Sequence, residues 1–254
     1  VHCIQGHTAV LPDLDNKLAL NSYVIDDVVD LADQMSNPVM LKDSRGRYLY
    51  ANQSSISLFG LSHQNEIVGL NSKELKGKVT HRWHDSFERA ISDLDSFVVK
   101  KRLSGRDNMR AIPCQDGTLR VQNMIKKPMV SQLSDKVTSI FTFSENLTDE
   151  IDRLSLLSLY VDFYSSHLVA VRYFLKYLCV ESLFIKTPSL REMETILRIA
   201  ALGNQKSVST QMGISTRTVE ENIRKIKQTK LANEYLWSVL LELIRNERRN
   251  LKIK

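Results

Sequence analysis

A chain of 254 residues with 43% hydrophobic content exceeds one typical domain and can fill one large core or two small ones. No apolar run reaches the length of a membrane span, and three scattered cysteines, Cys3, Cys114 and Cys179, give neither a disulfide framework nor a metal-type pair, which favours a reducing cytoplasm. The net charge of +6 is local: residues 187–254 carry thirteen Lys/Arg against seven Asp/Glu, while the rest of the chain balances, so a polyanion-binding segment follows a neutral one with another task.

The N-terminal VHCIQGHTAVLPDLD lacks a basic region followed by an apolar block, so no secretory signal is evident. VIDDVVDLADQM predicts a short amphipathic helix leading into the first domain. From Pro38 the pattern becomes strand-like. VMLKD, the turn Ser44-Arg45-Gly46-Arg47 and YLYAN read as a hairpin. Helical pieces follow in SSISLFG, NEIVGL and the longer RWHDSFERAISDLDSF. Strands return with FVVKKRL, LRVQNMIKKPMV and VTSIFTFSE, the second preceded by the turn Gln115-Asp116-Gly117-Thr118. Two strands, helices and three strands in that order imply one antiparallel sheet with helices gathered on one side.

After Thr148 the strands stop. Residues 150–184 contain no Gly or Pro, and Leu154, Leu157, Val161, Tyr164, Leu168, Val171, Leu175 and Leu178 recur at alternating spacings of 3 and 4. That is a heptad seam, which predicts a helical connector that dimerises the chain. Leu156, Leu159, Phe163, Phe174 and Tyr177 widen the stripe, and Ser165-Ser166-His167 can divide it into two helices. A connector packed on its own domains is the alternative.

Residues 187–250 read as four helices. Ser189 and Glu192 form a capping box, Gly203 suits a left-handed stop, and Asn204 and Ser215 suit the next two N-caps around a short helix ending at Gly213. The last helix is NEYLWSVLLELIRNERR. In the third, Val219, Ile223 and Ile226 share one face, while Arg217, Glu221, Arg224 and Gln228 point the other way, flanked by Glu220, Lys225 and Lys227. Arg can grip guanine, Gln can pair with adenine and Glu can accept from cytosine. Lys206, Thr216 and Thr218 sit near helix N-termini, where hydroxyl, ammonium and N–H groups suit phosphate. A short helix, a Gly-Ile-Ser link and this helix make a helix-turn-helix. Two plainer readings stay open: Glu220/Arg224 and Glu221/Lys225 are i,i+4 pairs of the kind that lace exposed helices, and Arg245, Arg248, Arg249, Lys252 and Lys254 could be a solvated basic tail.

LREMETILRIAALGNQKSVSTQMGISTRTVEENIRKI resembles the C-terminal DNA-binding domain of the LuxR/FixJ family of bacterial transcription regulators. Leu190, Arg191, Glu192, Leu197, Gly203, Ser215, Thr218 and Val219 carry the match. The resemblance implies base reading by Glu220, Glu221 and Arg224 and phosphate contacts by Thr216, Arg217 and Asn222. Glu220 and Asn222 depart from the family's usual basic residue and His, which leaves the base preference open. NPVMLKDSRGRYLYAN, SSISLFG, the VGL step, the Asp-Gly hairpin and the exit ENLTDEI make residues 37–149 similar to a PAS domain, a fold that senses small molecules or dimerises.

Alternation puts Val137, Ser139, Phe141 and Phe143 on one sheet face and Tyr48 with Tyr50 on another shared face, so Tyr48, Tyr50, Phe141 and Phe143 are the expected lining of a small-molecule pocket; plain core is the alternative. No flavin-type cysteine motif is present. Haem would need His81 or His84 as axial ligand, and a His at a helix start is more often a cap or surface residue, so no cofactor is assigned beyond a small organic ligand. No catalytic constellation, phosphate-cradling loop or metal-ligand spacing stands out. The expected fold class is α+β: a lead-in over 1–36, a PAS-like antiparallel sheet with helices over 37–149, a long helical connector over 150–186, and an all-α four-helix LuxR-type domain over 187–254. The expected protein is a cytoplasmic, non-enzymatic regulator that pairs with itself and with double-stranded DNA through Lys206, Ser215, Thr216, Arg217, Thr218, Glu220, Glu221, Asn222, Arg224, Lys225 and Gln228, without a membrane partner. The rival is a regulator whose helical domain binds a protein in place of DNA, kept open by Glu220 and Glu221 on the outward face.

Overall fold

The computed structural model describes residues 28–79, 85–131 and 134–250. Most of the expected lead-in, and both His81 and His84, lie outside them. A short helix, α1 (28–33), precedes the hairpin of β1 (Val39–Asp43) and β2 (Tyr48–Ala51). The hairpin forms because Asp43 accepts the Arg45 and Arg47 amides at 2.9 and 2.8 Å, while Gly46 takes the left-handed conformation at φ 81°. Then come α2 (Gln53–Phe59), α3 (Ser72–Lys78) and α4 (Asp85–Lys101), with a single 3₁₀ turn over Gln64–Glu66. Three strands follow, β3 (Gly105–Pro113), β4 (Leu119–Val130) and β5 (Val137–Asn146), and close a five-stranded antiparallel sheet in the order β2-β1-β5-β4-β3.

FVVKK, most of the expected strand FVVKKRL, is helix, contrary to the sequence expectation. Ile91, Asp95 and Val98 are buried at helical spacing, so Phe97–Lys101 continue the face of α4. The strand begins later, at Gly105, in a run too charged to show strand periodicity. The sheet has two covered faces. On one, Met40, Tyr48 and Ile112 pack with Ile56, Leu58, Phe59, Leu75 and Ile91. On the other, Val39, Leu41 and Tyr50 pack with Ala32 and the partly buried Phe141 and Phe143. Asn52 fixes α1 against this second face: its buried amide donates to the carbonyls of Ala32, Met35 and Asn37 and accepts the Val39 N–H.

The connector corrects the expected dimer seam. It is two helices, α5 (Arg153–Phe163) and α6 (His167–Tyr177), folded back on one another. Tyr160 meets Phe174 edge to face at 5.4 Å, and Tyr164 stacks on Tyr173 at 5.0 Å. Leu157, Val171, Leu175 and Leu178 are buried in one core with Leu119 and Val121 of β4 and Met193, Ile196 and Leu197 of the next helix, with Leu154, Val161 and Tyr164 partly buried around it. Leu168 alone among the eight is well exposed, at 58%. The 3-4 spacing is therefore satisfied inside the chain. An apolar stripe wider than a and d packs on several neighbours, which a two-stranded seam does not need.

The remaining helices are α7 (Leu190–Leu202), α8 (Gln205–Met212), α9 (Thr216–Thr229) and α10 (Leu236–Asn250). Their ends follow the sequence. Ser189 and Glu192 cap α7 reciprocally, Gly203 ends it in the left-handed region, and Asn204 and Ser215 accept the Ser207 and Thr218 amides.

Candidate functional site

Two regions gather the candidate functional side chains. The first is the outer face of α9. Gly213, at φ 63°, ends α8 by donating to the Ser209 and Thr210 carbonyls, and the chain turns within three residues into α9. Val219, Ile223 and Ile226 lock α9 to the core. Arg217, Glu220, Glu221, Arg224, Lys225 and Gln228 are exposed, as are Lys206, Ser215, Thr216 and Thr218 at the neighbouring N-termini. Asn222 is half-buried and belongs to the edge of this face.

The polar groups divide into those already engaged and those free to engage. Ser215 Oγ caps Thr218 N at 3.1 Å and contacts Thr218 Oγ1 at 2.8 Å, and Thr216 Oγ1 lies 3.3 Å from Ser209 Oγ, so these hydroxyls first build the turn. Arg217 pairs with Glu221 at 3.2 Å in solvent. Such an exposed pair is worth roughly 0–1 kcal/mol and exchanges readily for another partner. Lys225 and Lys230 approach the buried Glu192 at 3.7 and 3.4 Å. Burial disfavours the Glu192 charge, but the Ser189 hydrogen bonds and Lys230 outweigh it and hold the carboxyl below its ordinary range. This cluster welds the start of α7 to α9 and fixes the angle at which α9 is presented. Lys227 lies over the Trp237 ring at 5.6 Å, joining α9 to α10.

The second region is the cavity between sheet and helices, lined by Met40, Lys42, Tyr48, Leu58, Phe59, Ile91, Ile112, Gln122, Met124, Lys126 and Thr142 and leaving about 10 Å³. Of the expected lining residues only Tyr48 is here. Phe141 and Phe143 pack on the opposite face, because Ile140, Thr142 and Ser144 are the residues of β5 that point inward. Tyr50 is also on the far side, where its hydroxyl bonds to Asp33. It does not share a face with Tyr48: Leu41 pairs with Tyr50 and the next residue, Lys42, with Tyr48, so Leu49 is an extra residue on β2. A bulge of that kind flips the alternation.

The sequence reading missed the polar heart of the cavity. Lys42 and Lys126 are both buried, and both reach the one carboxylate of Asp95 on α4. Lys42 Nζ lies 2.8 Å from Asp95 Oδ2 and 3.0 Å from Ser72 Oγ. Burial opposes its charge, yet Tyr48 and Asp95 hold it above the ordinary lysine range. Burial first and the Lys42 ammonium second pull Lys126 down to about 7. The signal was present: Lys42 alternates in phase with Met40, and Lys126 with Met124 and Gln122, so both lysines fall on the inward register.

Residues 30–98 match the PAS domain family profile, so a PAS domain occupies this part of the chain. A diguanylate cyclase of Vibrio cholerae is 30% identical over 115 residues of the PAS region, 45% of this chain and 33% of that one, so the chain spans about a third of the length of the curated relative it matches. Among solved structures, Vibrio cholerae VqmA in complex with ligand and DNA is 19% identical over 88% of this chain and 87% of its own, at a TM-score of 0.46. The PAS domain of Bordetella pertussis BvgS is 18% identical over 56% of this chain and 96% of its own, at 0.42.

Proposed function

We propose that the chain is a DNA-binding transcription regulator in which the PAS domain, sensing a small organic ligand, governs a LuxR-type helix-turn-helix. The observation that carries this reading is the two-sidedness of α9. Its apolar side is fully used by the core, while its other side offers long hydrogen-bonding side chains to solvent at the end of the molecule that holds the basic excess. Glu220, Glu221 and Arg224 are the base readers, and Thr216, Arg217, Asn222 and Lys206 meet phosphate. Arg217 leaves Glu221 when it does so, which frees the carboxylate for a cytosine amino group. The role is binding, without catalysis, and it belongs in the cytoplasm; among the described residues no helix is long and apolar enough to cross a membrane.

Two half-sites require a second copy, and α10 supplies the surface in place of the connector. Leu240, Leu241 and Ile244 face the core, while Tyr235, Val239 and Leu243 form an exposed stripe at spacings of four, Tyr235 at 80%. A second copy packed on that stripe would bring two α9 helices into one dimer.

The test is selection of bound duplexes from a random pool, followed by titration at several salt concentrations. Specific binding should fall steeply with salt, because phosphate contacts release counterions. Arg224→Ala should cost about 1–3 kcal/mol of specific binding and leave non-specific binding in place. Failure to enrich any sequence, or binding indifferent to salt, would favour an α9 that docks a protein.

A further inference from the structure

The cavity's polar groups do not close among themselves. Two ammonium groups share one carboxylate, and the nearest further cation, Arg110, is already paired with Asp107. Lys126 uses two of its three donors, on Asp95 and on the Ile91 carbonyl at 3.3 Å. Thr142, directly across the ladder from Lys126, has a buried hydroxyl without a partner. Gln122, two residues along the same inward row as Met124 and Lys126, spends its amide N–H on Ser144 at 3.3 Å and leaves its buried Oε1 without one. Leaving a polar group buried and unpaired is costly, and a native core rarely gathers two beside an excess charge without a use for them. Burial first, and after it the neighbouring Lys42 ammonium, lower Lys126, so the crowding of positive charge adds to what burial does.

We propose that the cavity takes a compact organic monoanion, a carboxylate on an apolar body with a hydrogen-bond donor at its far end. This rests on the reading of the cavity as the sensor site and names its ligand class. The carboxylate would sit between Lys126 and the Thr142 hydroxyl and bring the buried charges into balance, two ammonium groups to two carboxylates. Met40, Ile91, Phe59 and Ile112 would cover the apolar body, and the far donor would meet Gln122 Oε1. The space is about 10 Å³ as it stands, so entry requires the wall to move. The wall is defined: Asp95 and Ser72, which bond Lys42 from the inside, also line an outer cleft of about 570 Å³ with Arg45, Lys73 and Arg89. An outward shift of α4 at Asp95 joins cleft to cavity, and the unbranched Met40 and Met124 can repack around what enters.

The experiment compares para-hydroxybenzoate, benzoate and para-hydroxybenzamide on the full chain by calorimetry and thermal melting. Para-hydroxybenzoate should bind and raise the melting temperature, and the amide should bind at least about tenfold more weakly, since it cannot supply the missing charge. Lys126→Met should abolish that preference for acid over amide, and Gln122→Leu should abolish the preference for the hydroxylated over the plain acid. An amide that binds as well as its acid overturns the proposal, and so does an intact protein that ignores all small carboxylates at millimolar concentration. If a variant does not fold, the acid and amide comparison on the wild-type chain still decides. Specific DNA binding, measured on the same sample, separates the failures: a chain that selects DNA but takes no acid loses only the ligand class.

Discussion

Gly117→Ala should break the joint between the PAS domain and the connector. Gly117 sits at the tip of the β3–β4 hairpin at φ 85°, and a Cβ there would fall into the Tyr173 ring. Two costs follow. The left-handed conformation costs a residue with a Cβ about 1–2 kcal/mol. The Tyr173 ring must also leave its stack on Tyr164, which is 5.0 Å away and itself bonds the Gly117 carbonyl, losing about 0.5–1.5 kcal/mol of ring contact and about 1 kcal/mol of hydrogen bond. The total is about 3–4 kcal/mol, enough to shift a urea midpoint clearly. A double-mutant cycle separates the parts. In a Tyr173→Ala background only the backbone cost should remain, so the coupling between the two sites should be about 1.5–2.5 kcal/mol. Additive effects in the cycle would refute the clasp, because they would mean that the hairpin and the ring do not press on one another.

The connector gives a second prediction. Leu175→Asp buries a carboxylate in the shared core and should cost roughly 3–5 kcal/mol, while the exposed Leu168→Asp should stay within about 0.5 kcal/mol and leave the oligomeric state unchanged, checked by sedimentation and chemical denaturation. Val239→Asp, in contrast, should give a folded monomer with weakened binding to two half-sites if α10 is the dimer face, as sedimentation would report. Lys126→Met should remove a pH dependence. The folded lysine releases its proton near 7 and the unfolded one near 10.5, so over that window the unfolded chain binds the extra proton and stability rises with pH. Lys42, Asp95 and Arg110 face the same ammonium, but Lys42 lies above the window, so the difference between wild-type and Lys126→Met denaturation profiles isolates Lys126.

What was legible in the sequence was whatever depends on short-range chemistry. Ser189, Asn204, Gly203, Gly213 and Ser215 stand where the caps require them, because capping is decided within four residues. The inward face of α9 was legible because three branched residues hold one register. The pocket was less so. A single bulge residue, Leu49, sends Tyr48 and Tyr50 to opposite faces, and nothing in YLYAN announces it. Phe141 and Phe143 misled because size suggested lining, whereas both faces of this sheet are covered and aromatic residues serve the outer one. The seam misled for a related reason: period reports that a face is buried and is silent on what buries it.

The β4 strand is where the two candidate regions meet. Its inward residues Gln122, Met124 and Lys126 line the cavity between sheet and helices. Its first residues, Leu119 and Val121, belong to the core of the connector and the helix-turn-helix domain. The joint is specific: the Tyr160 hydroxyl of α5 accepts the Leu119 N–H of β4 at 2.7 Å, and Thr148 accepts the Val121 N–H at 2.9 Å. From there α5 and α6 pack on α7, whose Glu192 holds Lys225 and Lys230 and so sets the pose of α9. On the proposed function, a ligand that opens α4 against the sheet acts on the same strand that the connector grips, since Gln122 and Lys126 lie one and five residues beyond Val121. If the chain binds both a ligand and DNA as proposed, any coupling along this path is reciprocal by linkage, so DNA on α9 would change ligand affinity by the same factor that the ligand changes DNA affinity. Contiguity alone does not make the strand a switch; it requires two arrangements of β4 and its neighbours.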